Sequence, residues 1–187
     1  MKSLLLGCIW AVILPLSAQA QTYEAVQADK SHIHFSYKQM GVSMQGSFER
    51  FESRLAFDPQ APAGASASIK VDLSSIDVGY PEGNEEIVRP EWLDSATHPV
   101  ATFVLASITP DGEGVYQASG KLRIKQGEHI VRFPVRLTTL ANAIQLDGTF
   151  TIARAQFGIG TGQWAGDDVV ARDVVIEFRI TAAKSGS

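Results

Sequence analysis

The sequence has almost no cysteine and no excess of basic residues. Its 187 residues include one Cys, so a framework of intramolecular disulfides and a site of several thiolate ligands are excluded. Its 16 Lys and Arg against 20 Asp and Glu give a formal net charge of −4, whereas a nucleic-acid-binding protein carries a basic excess. With 45% hydrophobic and 19% charged residues, the chain has the composition of a folded domain. We therefore expect no nucleic-acid partner.

The first 20 residues have the pattern of a cleavable secretory signal. Lys2 precedes an apolar stretch over 4–16, and Ala18-Gln19-Ala20 forms a small-x-small cleavage site. We predict that residues 1–20 are removed, that the mature chain starts at Gln21 in the periplasm, and that 21–187 form a single domain.

A second interpretation of the leader is a lipoprotein signal that acylates Cys8. Only five residues separate Lys2 from Cys8, and that distance is too short for the hydrophobic core of a signal peptide. Cleavage before Gln21 also removes Cys8, the sole cysteine. The stability of the mature chain then depends on its hydrophobic core alone, in any redox compartment.

Alternation of apolar and polar residues with a period of two dominates the mature sequence. In 32–38, Ile33, Phe35 and Tyr37 share one face of a predicted strand. The same pattern, strong or weak, predicts strands at 23–28, 32–38, 44–57, 69–73, 99–108, 115–125, 129–137, 143–153 and 170–180. Turn signals include Asp111-Gly112, Gln126-Gly127-Glu128 and Asp147-Gly148, with a bulge or turn near Glu49-Arg50. This spacing predicts an all-β antiparallel barrel or sandwich.

Two charged features stand out in the sequence, one between the predicted strands and one on them. The acidic segment 82–95 is predicted to be a short helix or a long loop at one end of the barrel. A basic ribbon is predicted on two adjacent strands, where it either protects a sheet edge or contacts a membrane surface or an acidic membrane partner. Its residues are Lys121, Arg123, Lys125, Arg132 and Arg136.

Motifs that carry chemistry are sparse. His32 and His34 lie on one strand face and form either a polar surface pair or two metal ligands, and a third ligand would have to come from a distant segment. The spacing in 160–165 matches a dinucleotide fingerprint, but loop and strand residues follow it where a helix is required. No serine stands in a nucleophile elbow, and we predict no catalytic residue, no metal site and no cofactor.

Aromatic and methionine side chains are spread over many predicted strands. Inward-facing residues of a small barrel either fill its core or line a pocket for one ligand, and alternation alone leaves both arrangements open. The predicted lining set comprises Phe35, Tyr37, Met40, Met44, Phe48, Phe51, Trp92, Phe103, Phe133, Phe150 and Trp164.

Several motifs, in their order and spacing, make the chain resemble the YceI-like family of periplasmic polyisoprenoid-binding proteins. They include 31–35, 46–51, 75–79, 91–94 and 98–103, followed by 120–124, 133–135 and 154–160. The resemblance implies an extended lipocalin-like antiparallel β-barrel of about eight strands that holds an isoprenoid chain in its lumen. The stretch 160–164 is similar to the part of the family associated with membrane b-type cytochromes.

Three functional hypotheses follow from this resemblance and from the residues. The first is a periplasmic carrier that is not an enzyme and binds an isoprenoid lipid or isoprenoid quinone. The second is an accessory module of a membrane b-type cytochrome, which is compatible with the first. The third is an enzyme that acts on a lipid head group through His98 and the acidic segment. The oligomeric state is left open, a homodimer included.

Overall fold

The computed structural model describes residues 22–185, which contain eleven strands and one α-helix. The predicted signal, 1–20, lies outside these residues. No helix within the described range is long and apolar enough to cross a membrane. The strands are β1 (Tyr23–Val26), β2 (His32–Gln39), β3 (Val42–Phe48), β4 (Phe51–Ala56), β5 (Ser66–Asp72), β6 (Ile76–Asp77), β7 (Val100–Pro110), β8 (Val115–Ile124), β9 (Gly127–Thr139), β10 (Ala143–Ala153) and β11 (Asp173–Lys184), with α1 (Pro81–Ile87) between β6 and β7.

All strands belong to one antiparallel sheet that curls strongly on itself. Its order is β4-β5-β7-β8-β9-β10-β11-β2-β3-β6, and β1 pairs with β11. Two short contacts lie near the ends of this path. Tyr23 of β1 bridges Phe57, just after β4, and the backbone N–H of Glu49 donates to the carbonyl of Ser75 at 3.1 Å. The all-β, extended barrel-like architecture that the sequence predicts is therefore confirmed.

The described residues form eleven strands where about eight are expected, for two reasons. The predicted strand 44–57 is divided into β3 and β4 at Glu49-Arg50, where the sequence indicates a bulge or turn. In addition, β1 and β6 are short strands of four and two residues that pair with β11 and β3.

The acidic segment begins as a helix, as the sequence predicts for 82–95. Pro81 occupies the first turn of α1, where a residue without an N–H is tolerated. The backbone N–H of Val78 donates to Asn84 Oδ1 at 2.7 Å and thereby ties the helix to the end of β6. After Ile87 the chain continues in turns that bury Trp92 and Leu93.

Three glycines allow Phe rings to lie flat across the inner face of the sheet. A Cβ at Gly148 would collide with the ring of Phe178, its partner on β11. A Cβ at Gly46 would collide likewise with Phe35, and one at Gly120 with Phe103 on the neighbouring strand. The sequence-based turn at Asp147-Gly148 is therefore wrong. Gly148 lies in the middle of β10, where it leaves room for a neighbouring ring rather than reversing the chain.

We predict that Gly148→Val lowers the free energy of unfolding by about 1–3 kcal/mol, because the new side chain displaces Phe178 from its place in the core. Urea unfolding measures the change. Thr149→Val is the matched control, since residue 149 is exposed on the outer face of the same strand. A control that is equally destabilised would contradict this explanation.

Candidate functional site

Two apolar cavities lie end to end inside the curled sheet. The first has a volume of about 320 Å³ and the second a volume of about 130 Å³. Six side chains line both cavities, each from a different strand, and we call this ring the collar. The collar consists of Ile33, Val71, Ala101, Leu122, Phe150 and Ile176. The two cavities therefore meet at the collar, and we call them together the lumen.

Eight of the eleven residues in the predicted lining set face this lumen. Those on the first cavity are Phe35, Tyr37, Phe48, Trp92, Phe150 and Trp164. Those on the second are Phe103, Phe133 and, again, Phe150. Rings of Phe133 and Phe150 stack with their centroids 4.7 Å apart, so part of the aromatic set packs against itself while it lines the lumen.

The other three predicted lining residues lie elsewhere. Met40 is at the tip of the β2–β3 hairpin and is 76% exposed. Met44 is half-buried opposite Tyr37, and Tyr37 lines the first cavity whereas Met44 does not. Phe51 lines a separate surface groove together with His32 and His34. These three predictions are corrected because alternation assigns a face to a residue but not its position along the barrel.

A buried arginine organises the loop at the open end of the lumen. Arg154 is only 1% exposed, and all five of its guanidinium N–H groups donate to backbone carbonyls at 2.7–3.2 Å. The acceptors are Ile159, Gly160, Gly166, Val170 and Ala171. Because burial of an unsatisfied charge is very unfavourable, these five bonds are what permit the guanidinium to be inside. They hold the loop 155–171 against the barrel.

The same guanidinium supports the aromatic residues of the first cavity. Its central carbon lies 5.8 Å from the ring centroid of Trp92, a distance that suits a cation–π contact. Gly160 has a φ of +75°, and a Cβ there would collide with the guanidinium, so this position requires glycine. The backbone N–H of Gly160 also donates to the carbonyl of Glu91 at 2.8 Å.

Lys125 is a second cation whose side chain donates to backbone carbonyls beside the lumen. Its ammonium donates to the carbonyls of Pro90, Trp92 and Gly158 at 2.7–3.0 Å. Lys125 lies in the β8–β9 turn with a φ of +52° and not on the strands that carry the basic ribbon. The prediction that it belongs to this ribbon is therefore wrong. Burial lowers the pKa of Lys125 below its usual value, while nearby carboxylates oppose that shift.

The rest of the basic ribbon does lie on the outer face of β8 and β9. Lys121, Arg123, Arg132 and Arg136 are exposed, and the two strands pair antiparallel as the sequence predicts. Lys121 forms an ion pair with Glu128 at 3.0 Å. The ribbon is therefore smaller and more nearly neutral than its sequence indicates.

Polar groups on the first cavity gather near its mouth. Glu82 of α1 is exposed and lines the cavity, so the lumen reaches the surface beside this helix. Trp92 Nε1 donates to Glu86 Oε1 at 3.2 Å, and Glu86 also pairs with Arg89 at 2.7 Å. Burial, together with neighbouring Tyr80, raises the pKa of Tyr37 and keeps it a neutral phenol.

One donor at the mouth has no partner. Trp164 lines the first cavity next to Trp92, with the two ring centroids 5.4 Å apart. Its indole Nε1 is buried and forms no hydrogen bond with any residue of the described range. A buried donor left unsatisfied costs about 1–3 kcal/mol, so this N–H is suited to an acceptor atom of a ligand.

The remaining sequence motifs contribute little to this site. The rings of His32 and His34 stack at 4.4 Å on the outer face, away from the lumen. Burial lowers the pKa of His32, with the neighbouring His34 and Arg179 acting in the same direction. Within 22–185 no group of three or more His, Cys, Asp or Glu is placed to hold a metal. The glycine-rich stretch 160–165 contains a three-residue 3-10 turn, Gly162–Trp164.

The fold and the lumen together place the chain among β-sheet proteins that enclose an apolar ligand cavity. A family model described as a YceI-like domain matches residues 25–182, and the chain belongs to this family. A UPF0312 protein of Pectobacterium atrosepticum is 28% identical over 112 residues, 59% of this chain and 58% of that protein. The protein YceI of Escherichia coli O157:H7 is 27% identical over 118 residues, 60% and 61% of the two chains. The matches thus span less than two thirds of these relatives.

Solved structures agree with this assignment. BcnA of Burkholderia cenocepacia has a TM-score of 0.82 at 35% identity, and the match covers 84% of this chain and 99% of BcnA. A polyisoprenoid-binding domain from Saccharophagus degradans has a TM-score of 0.68 at 17% identity, with 88% and 98% of the two chains covered. The second likeness shows a shared fold.

Of the collar residues only Phe150 belongs to the predicted lining set, and the sequence indicates neither the role of Arg154 nor that of Lys125. Ile33, Val71 and Ala101 look like ordinary core residues, because neighbours on the collar are distant in the chain. Arg154 did carry a signal, since it opens the motif 154–160 that contributes to the family resemblance. An arginine within an apolar, glycine-rich motif indicates a buried guanidinium that needs carbonyl partners.

We predict that Arg154→Met lowers the free energy of unfolding by roughly 3–5 kcal/mol, because five backbone carbonyls, three of them in buried hydrogen bonds, lose their donor. Amide hydrogen exchange should accelerate in 155–171 more than in the strands. Arg172→Met is the control, since that exposed side chain should change stability by less than about 0.5 kcal/mol. Equal effects of the two substitutions would refute the role of Arg154.

Proposed function

We propose that this protein is an exported, periplasmic binding protein that carries an isoprenoid lipid with its chain in the lumen. The observation that carries the proposal is the pair of apolar cavities joined at the collar. A flexible linear polyprenyl chain suits a long narrow lumen, whereas a compact ligand suits a single cavity. The predicted signal peptide, 1–20, and the polyisoprenoid-binding domain of S. degradans with the same fold support the proposal.

Burial of the chain supplies the binding free energy. Each Å² of apolar surface removed from water contributes roughly 25 cal/mol, and an isoprenoid chain offers such surface along its whole length. Side chains at the collar are aliphatic or aromatic, with Ile33 and Ala101 as examples. Fixed polar contacts are needed only at the head group, and the polar lining residues are concentrated near the mouth.

The mouth favours a neutral head group with acceptor atoms, such as a quinone. Glu82 and Glu86 line the first cavity, and their carboxylates repel a phosphate. The nearby cations already have partners, because Arg89 pairs with Glu86 and because Arg154 and Lys125 donate to eight backbone carbonyls between them. The unpartnered N–H of Trp164 provides a donor for a quinone carbonyl.

We infer binding rather than catalysis. His98, the residue of the enzyme hypothesis, lies 3.8 Å from Asp94 across one turn and does not line either cavity. Association with a membrane cytochrome and formation of a homodimer stay predictions from the sequence.

Substitutions at the collar test whether the chain passes through it. Ala101→Leu adds bulk where both cavities meet, so we predict that affinity for a long polyprenol falls at least about tenfold while affinity for farnesol is retained. Fluorescence titration with each ligand measures the difference. Ala101→Val provides a graded intermediate, and Ala96→Leu on the exposed surface is the matched control. Unchanged long-chain binding by folded Ala101→Leu would overturn the two-cavity proposal.

Trp164→Phe tests the head-group contact, since it removes the N–H and keeps an aromatic ring. Loss of one hydrogen bond should weaken binding of a polyprenyl quinone about fivefold and leave an isoprenoid hydrocarbon without acceptor atoms unaffected. Competition assays should also show that polyprenyl diphosphate of the same chain length displaces the quinone poorly. Preferential binding of the diphosphate would contradict the proposed neutral head group.

A further inference from the structure

The tip of the β2–β3 hairpin carries an apolar residue in a turn that ordinarily selects against one. Gln39 pairs with Val42, so the loop is Met40-Gly41, with φ of +50° and +80°. Two positive φ angles define a type I′ turn, whose first position prefers Asn, Asp or Gly. Met40 adopts this left-handed conformation at a steric cost, and its side chain is 76% exposed. The requirements of the turn do not explain a methionine here.

Two further exposed apolar residues lie beside it. Val42 is 62% exposed and Val169 is 39% exposed. The backbone N–H of Met40 donates to the carbonyl of Val169 at 2.7 Å, which holds the 165–172 segment against the hairpin. We call Met40, Val42 and Val169 the apolar tip.

The apolar tip adjoins the mouth of the lumen. Gln39 and Val170, the chain neighbours of Met40 and Val169, form an antiparallel bridge, and both line the first cavity. The apolar tip is therefore one residue from the cavity wall on each segment, next to Val170 on one and to the polar Gln39 on the other. A strained, exposed, apolar hairpin next to an apolar cavity is where an interaction surface is expected.

The size and charge of the apolar tip indicate what it contacts. The surface of these three side chains is far smaller than the roughly 1,000 Å² that a specific protein interface requires. Exposed Lys38 and Arg172 lie near it in the chain, as do exposed Asp167 and Asp168, so the formal charges around it cancel. A hairpin with apolar side chains and balanced charge suits the apolar zone of a lipid bilayer, without dependence on anionic lipid.

We propose that the apolar tip inserts into the membrane and brings the mouth of the lumen to the bilayer surface. The isoprenoid chain then slides between bilayer and lumen without crossing water. This inference rests on the proposed function for its cargo, but the insertion itself is measurable without any bound lipid.

The first experiment places a reporter at the tip. The sole cysteine, Cys8, lies in the predicted signal, so Met40→Cys in the chain from Gln21 takes a single environment-sensitive fluorophore. With vesicles of neutral phosphatidylcholine, we expect a blue shift and quenching by spin-labelled acyl chains. Ile130→Cys is the control, because Ile130 is 53% exposed on the outer face of β9, away from the tip. No shift at position 40, or an equal shift at 130, would overturn the proposal.

The second experiment separates docking from cargo binding. Met40→Asn with Val42→Thr removes the apolar tip while placing a preferred residue in the turn, so the fold is retained. We expect transfer of a polyprenyl quinone between phosphatidylcholine vesicles to slow about tenfold, with equilibrium loading from detergent unchanged. Val104→Thr with Ile130→Thr, two exposed apolar residues on β7 and β9, should leave the transfer rate unchanged.

The two proposals fail in different ways. Wild-type transfer rates in the tip variant, or vesicle-independent self-association that the tip substitutions abolish, would refute membrane insertion. Absence of quinone loading in the wild-type protein, with the fluorophore at position 40 still quenched by lipid, would refute the carrier function and leave insertion supported.

Discussion

Five backbone carbonyls converge on the guanidinium of Arg154, and the open end of the lumen depends on that convergence. The loop 155–171 has few strand partners, so its carbonyls take their donors from one buried side chain. Because the loop is held in this way, Trp164 lines the first cavity, and the guanidinium of Arg154 contacts the ring of Trp92. The ammonium of Lys125 likewise donates to backbone carbonyls of the segment after α1. Two cations thus stabilise irregular backbone beside the cavity where regular hydrogen bonding ends.

The lumen exists because the sheet curls without filling its interior. Glycines on the inner face let Phe rings lie flat against neighbouring strands, so that large side chains form walls and occupy less of the centre. The two hydrophobic core clusters meet at shared half-buried residues, Phe103, Val131 and Phe150, close to where the cavities meet. An apolar chain in this space would restore dispersion contacts that an empty cavity forgoes.

Charge at the mouth is the basis on which the proposed carrier would select a head group. Arg154 and Lys125 donate to backbone carbonyls and Arg89 pairs with Glu86, while Glu82 and Glu86 line the cavity. In this proposal hydrophobic burial sets how tightly a chain is held, and these few polar groups set which head group is accepted. Selectivity in such a site comes mainly from groups left unpaired by the wrong ligand.

The alternation of residues was sufficient to predict most strands and their inward faces, and the motifs were sufficient to predict the family. β2, for example, matches the predicted 32–38 closely. Alternation works because it reflects local backbone geometry. It was insufficient for Met44, Phe51 and Lys125, whose surroundings depend on pairing between segments far apart in the chain. The collar and the Arg154 contacts arose only when six strands and a loop were brought together, since shape and desolvation belong to the assembled fold.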